Sequence, residues 1–180
     1  MPAVLIPLAQ GCEELEAITV INILRRAGIH VVSAGLDEQP VRGSRGTVLI
    51  PDTTLENALQ TAYDMIVLPG GQPGSNNLKA DPRILATLKS MAQQGKYVAA
   101  ICAAPAVLAA AGLLEGKRAT SFPGALEAYS GIQKQTGAVI EDGRIITSRG
   151  PGTAMDFALT LVEHLAGMAK RQEVEAGLVR

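Results

Sequence analysis

Only two cysteines occur among the 180 residues, Cys12 and Cys102, and their settings differ. Cys102 follows the apolar run Tyr97–Ile101 and precedes Ala103-Ala104-Pro105, where a proline at a first helical position marks a strand-to-helix turn. A thiol at such a turn faces backbone N–H groups and the positive end of a helix dipole, both of which favour the nucleophilic thiolate. The expectation is a Cys102 pKa well below the reference of about 8.5. Small neighbours, Ala99, Ala100, Ala103 and Ala104, leave the turn uncrowded. The competing account is an inert buried thiol, since free cysteine is among the most buried residue types. Pro69-Gly70-Gly71 ends a second apolar run, Met65–Leu68, and offers a backbone N–H at Gly71. With the N–H of Ala103 it would make an oxyanion hole at the sulfur, although the same motif also fits a plain turn.

Glu13, Glu14 and Glu16 stand where a first strand gives way to a helix. Acids there complement the helix dipole without any catalytic role. One beside a thiolate would instead be pressed to keep its proton, because two like charges at contact cannot both form cheaply, and a protonated acid could shuttle protons. Arg45 and Arg149 each lie in a Ser-Arg-Gly turn, where a guanidinium either binds a carboxylate or phosphate or is simply solvated. His30 and His164 fall away from these loops, so the residues give no support to a Cys-His dyad. Two histidines and two cysteines so widely separated also lack zinc-ligand spacing, and neither glycine-rich loop has a P-loop or dinucleotide pattern. No metal or cofactor is expected.

The elements that would position these residues alternate. Ala3–Leu8 predicts a strand buried on both faces. Glu13 to Ala27 predicts a helix with Leu15, Ile18, Ile21 and Leu24 on its apolar face, Arg25 and Arg26 in its last turn and Gly28 just past its end. Strands are predicted over 29–34, 47–50, 65–68, 97–101 and 118–121, and Asp81-Pro82 starts a helix that Gly95 stops. Glu141-Asp142-Gly143-Arg144 joins two apolar pairs as a hairpin. A helix lined by Phe157, Leu161, Val162 and Leu165 follows, with Thr153 and Asp156 spaced as a variant capping box, and 168–180 reads as a polar terminal helix. Alternating strands and helices with no long linker predict one α/β domain over residues 1–180, a doubly wound, mostly parallel sheet with helices on both faces. Its ligand rim would lie outside the strands' carboxyl ends, in the loops after Leu8, Leu68, Ile101 and Thr147.

Composition narrows the function classes. A 47% hydrophobic, 18% charged chain has an ordinary globular balance. A formal charge of -1 supplies no field to gather nucleic acid or an anionic membrane. The N-terminal apolar run lacks a basic flank and no other run reaches membrane-spanning length, so the cytoplasm is the expected compartment.

Four motifs, in order, carry a resemblance: Gly11-Cys12-Glu13-Glu14-Leu15-Glu16, Leu68-Pro69-Gly70-Gly71, Ala100-Ile101-Cys102-Ala103-Ala104-Pro105 and Thr147-Ser148-Arg149-Gly150-Pro151-Gly152-Thr153. Together they resemble the DJ-one (ThiJ/PfpI) family, and the nucleophile strand is similar to that of its bacterial YajL-type members. The resemblance implies a flavodoxin-like fold and a homodimer, with Cys102 as nucleophile, Glu16 as its protonated partner and Gly71 and Ala103 as backbone donors. It also implies Arg45, Arg149, Gly70 and Phe122 as lining for a substrate or dimer pocket. The activities implied are a glutathione-independent glyoxalase, a deglycase acting on early methylglyoxal or glyoxal adducts of proteins and nucleotides, and an oxidative-stress protein with chaperone activity. The substrates would be α-oxoaldehydes, or glycated amines and thiols. A redox sensor that uses oxidation of Cys102 is the alternative. Two departures stand out: Ala103 replaces the histidine that follows the cysteine in the protease-like branch, and Phe122-Pro123 stands where animal members place a histidine before proline.

Overall fold

Val4, Ile6 and Leu8 face one side of the first strand and Leu5 the other, and both sides are buried. This two-faced burial explains why the strand reads as a continuous apolar run. The computed structural model describes every residue, Met1–Arg180. In chain order the elements are β1 (Ala3–Leu8), α1 (Glu14–Arg26), β2 (His30–Gly35), β3 (Val41–Arg42), β4 (Val48–Leu49), β5 (Thr53–Thr54), α2 (Leu55–Ala58) and β6 (Met65–Leu68). Then come α3 (Gly74–Ala80), α4 (Pro82–Gln93), β7 (Tyr97–Ile101), α5 (Pro105–Ala110), β8 (Arg118–Ala119), β9 (Gln133–Lys134), β10 (Val139–Asp142), β11 (Ile145–Ser148), α6 (Ala154–Ala166) and α7 (Met168–Gly177).

Seven strands form the central sheet in the order β10-β11-β7-β6-β1-β2-β5. All neighbours are parallel except the β10–β11 hairpin, whose Asp142–Ile145 pairing closes it at the expected Asp-Gly turn. A core of 27 buried residues joins one sheet face to α1, α6 and Val174 of α7, and a core of 21 joins the other face to residues of α2, α3, α4 and α5. This is the doubly wound α/β domain that the alternation predicts. No helix is long and apolar enough to cross a membrane.

From β1 the chain moves outward to β2, whereas β6 enters on the other side of β1. The connections after β1 and β6 also run on opposite faces, through α1 and through α3 and α4. Their loops therefore separate at a topological switch point, which opens a crevice at the carboxyl ends of these strands.

Three local expectations need correction. Leu15 and Ile18 are 51% and 47% exposed, so the buried stripe of α1 is instead Glu16, Ala17, Val20, Ile21, Ile23 and Leu24. Apolar residues continue round the helix, and periodicity alone placed its buried face out of phase. Thr153 makes no side-chain cap to α6. Its hydroxyl is used by the Gly150 N–H (3.1 Å) and the Ser148 hydroxyl (2.7 Å), tying the end of β11 to the turn that follows. The short strands predicted over 47–50 and 118–121 shrink to Val48–Leu49 and Arg118–Ala119, which pair with β3 and β9 outside the main sheet.

Phe157, fully buried in α6, fills the layer between that helix and the sheet. Phe157→Ala should cost about 3–5 kcal/mol in urea unfolding. Gly28→Ala, at φ +75° with nothing within 4 Å of the added Cβ, should cost about 1–2 kcal/mol, from the left-handed backbone alone.

Candidate active site

At the end of β7 the chain makes an abrupt turn through Cys102, which adopts φ +65°, a left-handed conformation unusual for a residue with a side chain. Holding it there costs about 1–3 kcal/mol and requires support on both sides. The Cys102 N–H donates to the Ser148 carbonyl at 3.0 Å, and the Cys102 carbonyl accepts from the Phe122 N–H at 2.8 Å. Helix α5 begins only at Pro105, so the turn itself, more than a helix end, sets the direction of the sulfur. The arrangement is a strand–turn–helix elbow of the kind that presents a nucleophile at a sheet rim.

Gly70 lies between the two acids of the site. A Cβ built there would come 2.5 Å from Cys102 Cβ and 2.8 Å from Glu16 Oε2, so any side chain at this position would occupy the space between thiol and carboxyl. The Gly70 N–H donates to Glu16 Oε2 at 2.8 Å. Glu16 is completely buried, and its Oε1 has no partner of good hydrogen-bond geometry; the side chain it is poised to meet is Cys102. Gly71, at φ +86°, closes against the first loop, with its Cβ position 2.4 Å from the Glu13 nitrogen. The Gly71 and Ala103 N–H groups have no backbone acceptor, and both act to lower the thiol pKa.

Burial dominates the electrostatics. It pushes Glu16 up to about 7 against the opposing pull of the Gly70 N–H and the thiol. Burial and then the Glu16 charge push the Cys102 thiol up to about 12, which outweighs the two backbone donors. The expected depression of the thiol pKa is therefore reversed, because the donors act at a cysteine only 7% exposed and beside a carboxylate. The two groups are a coupled pair in which a single negative charge is tolerated and two are not. The pair therefore shares one proton, and moving it from sulfur to carboxyl is what frees a nucleophile.

The other residues singled out in the sequence divide. Phe122 is 50% exposed, with its backbone bonded to Cys102 and its ring over Gly150. Arg149 directly follows Ser148 at the same rim and is half-buried without an ion pair. The Arg45 side chain is 80% exposed and reaches only Glu13, at 3.9 Å. Its backbone N–H is the part that is used, donating to the Glu14 carboxylate at 3.0 Å together with Thr47 N–H at 3.2 Å. Glu13 caps α1 and Glu14 pins the β3–β4 hairpin, so Glu16 alone of the three acids enters the site. Cys12 is wholly buried, and burial with the nearby acids pushes its thiol up to about 12. His164 bonds Glu141 at 2.6 Å and lies beside Tyr97, at the opposite end of β7 from Cys102. No group of three or more His, Cys, Asp or Glu side chains is placed to hold a metal.

The packing roles of Gly11, which opens the first motif, and of Gly74 escaped sequence reasoning. Cβ atoms there would come 2.4 Å from Pro73 Cδ and 2.5 Å from the Cys12 nitrogen, so these glycines let the loops after β1 and β6 interlock. Their signal was glycine at both flanks of the crevice. A concavity of about 620 Å³ lies elsewhere, between Leu8, Leu36 and Arg83. Its polar side chains are engaged with one another, Arg83 with Asp81 and Asn77 with the Gln10 carbonyl, which leaves no reactive group there.

A model of the DJ-1/PfpI family matches residues 2–164. The chain belongs to the DJ-1/PfpI family. It is 45% identical over 180 residues to the Drosophila melanogaster protein dj-1beta, covering 97% of this chain and 95% of that protein. It is 37% identical over 163 residues to the Caenorhabditis elegans glutathione-independent glyoxalase DJR-1.2, covering 89% and 87%. The crystal structure of Drosophila DJ-1beta superposes with a TM-score of 0.95 at 43% identity, covering 99% of this chain and 97% of that one. Membership in the DJ-1/PfpI family thus rests on sequence and on fold over almost the whole chain.

The raised Glu16 pKa has a consequence for stability. A carboxyl that titrates near 7 when folded and at 4.5 when unfolded contributes stability that is fully present below 4.5 and is lost as pH rises through about 7. The loss amounts to about 3 kcal/mol. Urea unfolding at pH 4.5 and pH 8 should show Glu16→Gln losing about 2–3 kcal/mol less than the native chain across this window.

Proposed function

We propose that this protein is a glutathione-independent glyoxalase that converts α-oxoaldehydes to 2-hydroxy acids, with Cys102 as nucleophile and Glu16 as the proton carrier. The observation that carries the proposal is the Cys102–Glu16 pair across Gly70, with two backbone N–H groups, Gly71 and Ala103, left without a backbone acceptor beside it. The name of the Caenorhabditis relative supports the same reading.

In the first step the sulfur adds to the aldehyde carbon while the Glu16 carboxylate takes the thiol proton. The carbonyl π pair becomes an oxyanion beside the Gly71 and Ala103 N–H groups. A base with a pKa near 7 is better matched to this transfer than an ordinary carboxylate. The oxyanion then takes the proton from Glu16, giving a hemithioacetal. Glu16 next removes the hydrogen on the carbon bonded to sulfur, forming an enediolate, and returns it to the neighbouring carbon. The hydroxyl proton passes to the second oxygen, and a thioester of a 2-hydroxy acid results. Water cleaves the thioester and restores the thiol. One carbon is oxidised and its neighbour reduced, so no external oxidant or cofactor is consumed. An early glycation adduct entering the same site would release its amine or thiol at the corresponding stage.

The reading includes a homodimer in the cytoplasm. Leu15 and Ile18 on the outer face of α1, with Val48 and Ile50 on and after β4, are exposed large apolar side chains, and Glu14 ties that hairpin to the helix. A second copy is the occupant that would cover them. Leu15→Lys combined with Ile18→Lys should convert a dimer to a monomer in light scattering.

Cys102→Ser should abolish lactate formation from methylglyoxal without glutathione, while Cys12→Ser, at a buried position outside the pair, should keep activity within about threefold of the native chain. Direct lactate measurement, with circular dichroism to verify folding, checks both. Absence of lactate from the native chain, with Cys102 still oxidised by peroxide, would select the redox-sensor account instead.

A further inference from the structure

The active-site rim is built largely from backbone, and two side chains stand out from it, the half-buried Arg149 and Phe122. Phe122 is one of two phenylalanines in the chain, and unlike the fully buried Phe157 it leaves half its surface in solvent. Its backbone is fixed close to the nucleophile. The Phe122 N–H donates to the Cys102 carbonyl at 2.8 Å, and two residues earlier the Thr120 N–H donates to the Thr147 hydroxyl at 3.0 Å. On the far side, a Cβ at Gly150 would come 3.5 Å from ring carbon Cδ2, so the ring covers the loop that begins just past Ser148. Ser148 is the residue whose carbonyl accepts the Cys102 N–H. The ring is thus held between the two segments that grip the cysteine turn.

An exposed aromatic ring in this place gains by being covered, since burial of apolar area and ring stacking both favour contact with a planar or branched apolar group. An α-oxoaldehyde attached to sulfur through its aldehyde carbon has one variable part, the substituent on the adjacent ketone carbon. We infer that Phe122 is a specificity-determining residue that selects α-oxoaldehydes carrying an aryl or bulky apolar substituent over those carrying methyl. The inference deepens the glyoxalase proposal and rests on it for the identity of the substrate class. The selecting contact itself requires only that the electrophile react at Cys102.

Two experiments separate these dependences. Turnover of phenylglyoxal to mandelate and of methylglyoxal to lactate is compared for the native chain, Phe122→Ala and Phe122→Leu. Phe122→Ala should lower kcat/KM for phenylglyoxal roughly tenfold and for methylglyoxal by less than about threefold. Phe122→Leu, which keeps an apolar wall, should fall between. In the second experiment Cys102 is alkylated, in the Cys12→Ser background, by phenacyl bromide or by bromoacetone. In each case sulfur displaces bromide and the thiol proton is lost to Glu16 or solvent, and intact mass gives the rate. The ratio of the two rate constants cancels intrinsic reactivity when native and variant chains are compared, and it should fall about three- to tenfold in Phe122→Ala. If neither aldehyde is turned over, the glyoxalase proposal fails while the alkylation ratio still decides the role of Phe122. A ratio unchanged in both the Ala and Leu variants, or an equal fall for the two aldehydes, overturns the inference.

Discussion

Two acids buried against one another set the terms for everything around the site. Cys102 and Glu16 lie on either side of Gly70, where neither can ionise as it would in water and both cannot ionise together. The consequence is a pair with one mobile proton rather than a free thiolate. Such a pair lets the sulfur become nucleophilic as its proton crosses to the carboxyl. The two unused N–H groups stabilise charge wherever it appears on the sulfur or its adduct, so they matter most during reaction.

Maintaining that pair demands close approach of segments far apart in sequence. Glu16 comes from the first turn of α1, Gly70 and Gly71 from the loop after β6, and Cys102 from the loop after β7. The parallel sheet brings these carboxyl ends to one rim, and the switch in connection direction between β1 and β6 opens the gap between them. Glycine then closes the gap to hydrogen-bond distance. At Gly71 the requirement is both a positive φ and the absence of a Cβ, whereas at Gly70 it is the volume between two reacting side chains. The strained φ of Cys102 belongs to the same economy of space, since it turns the sulfur back toward the loop that carries the donors.

The flanking acids show how one short motif divides its work. Glu13 caps the helix, Glu14 receives the N–H groups of Arg45 and Thr47 and so anchors the β3–β4 hairpin, and Glu16 turns inward. Backbone donors hold the Glu14 carboxyl below its usual range despite some desolvation, whereas Glu16, with one backbone donor and full burial, is driven the other way. Identical side chains two positions apart thus acquire opposite acidities from their surroundings.

Much of this was legible in the amino-acid sequence, because continuous apolar runs and their glycine and proline endings are local signals. The strands Ala3–Leu8, Met65–Leu68 and Tyr97–Ile101, the start of α4 at Asp81-Pro82 and the cysteine at a strand-to-helix turn all follow from residue type and spacing. Short pieces such as β3, β5 and α3 were not legible, since two to seven residues carry too little periodicity to identify them. Residue type and spacing left Glu13, Glu14 and Glu16 unranked near the rim and the two arginines in turns without partners, and only the family resemblance singled out Glu16. Only the tertiary structure decided that Glu16 meets Cys102, that Arg45 contributes its backbone more than its side chain, and that α1 buries Glu16 rather than Leu15. That choice depends on how the helix is rotated over the sheet, a through-space packing property. The direction of the thiol pKa was settled at the same level, because helix and donor signals are local while desolvation is the sum of everything packed around the sulfur.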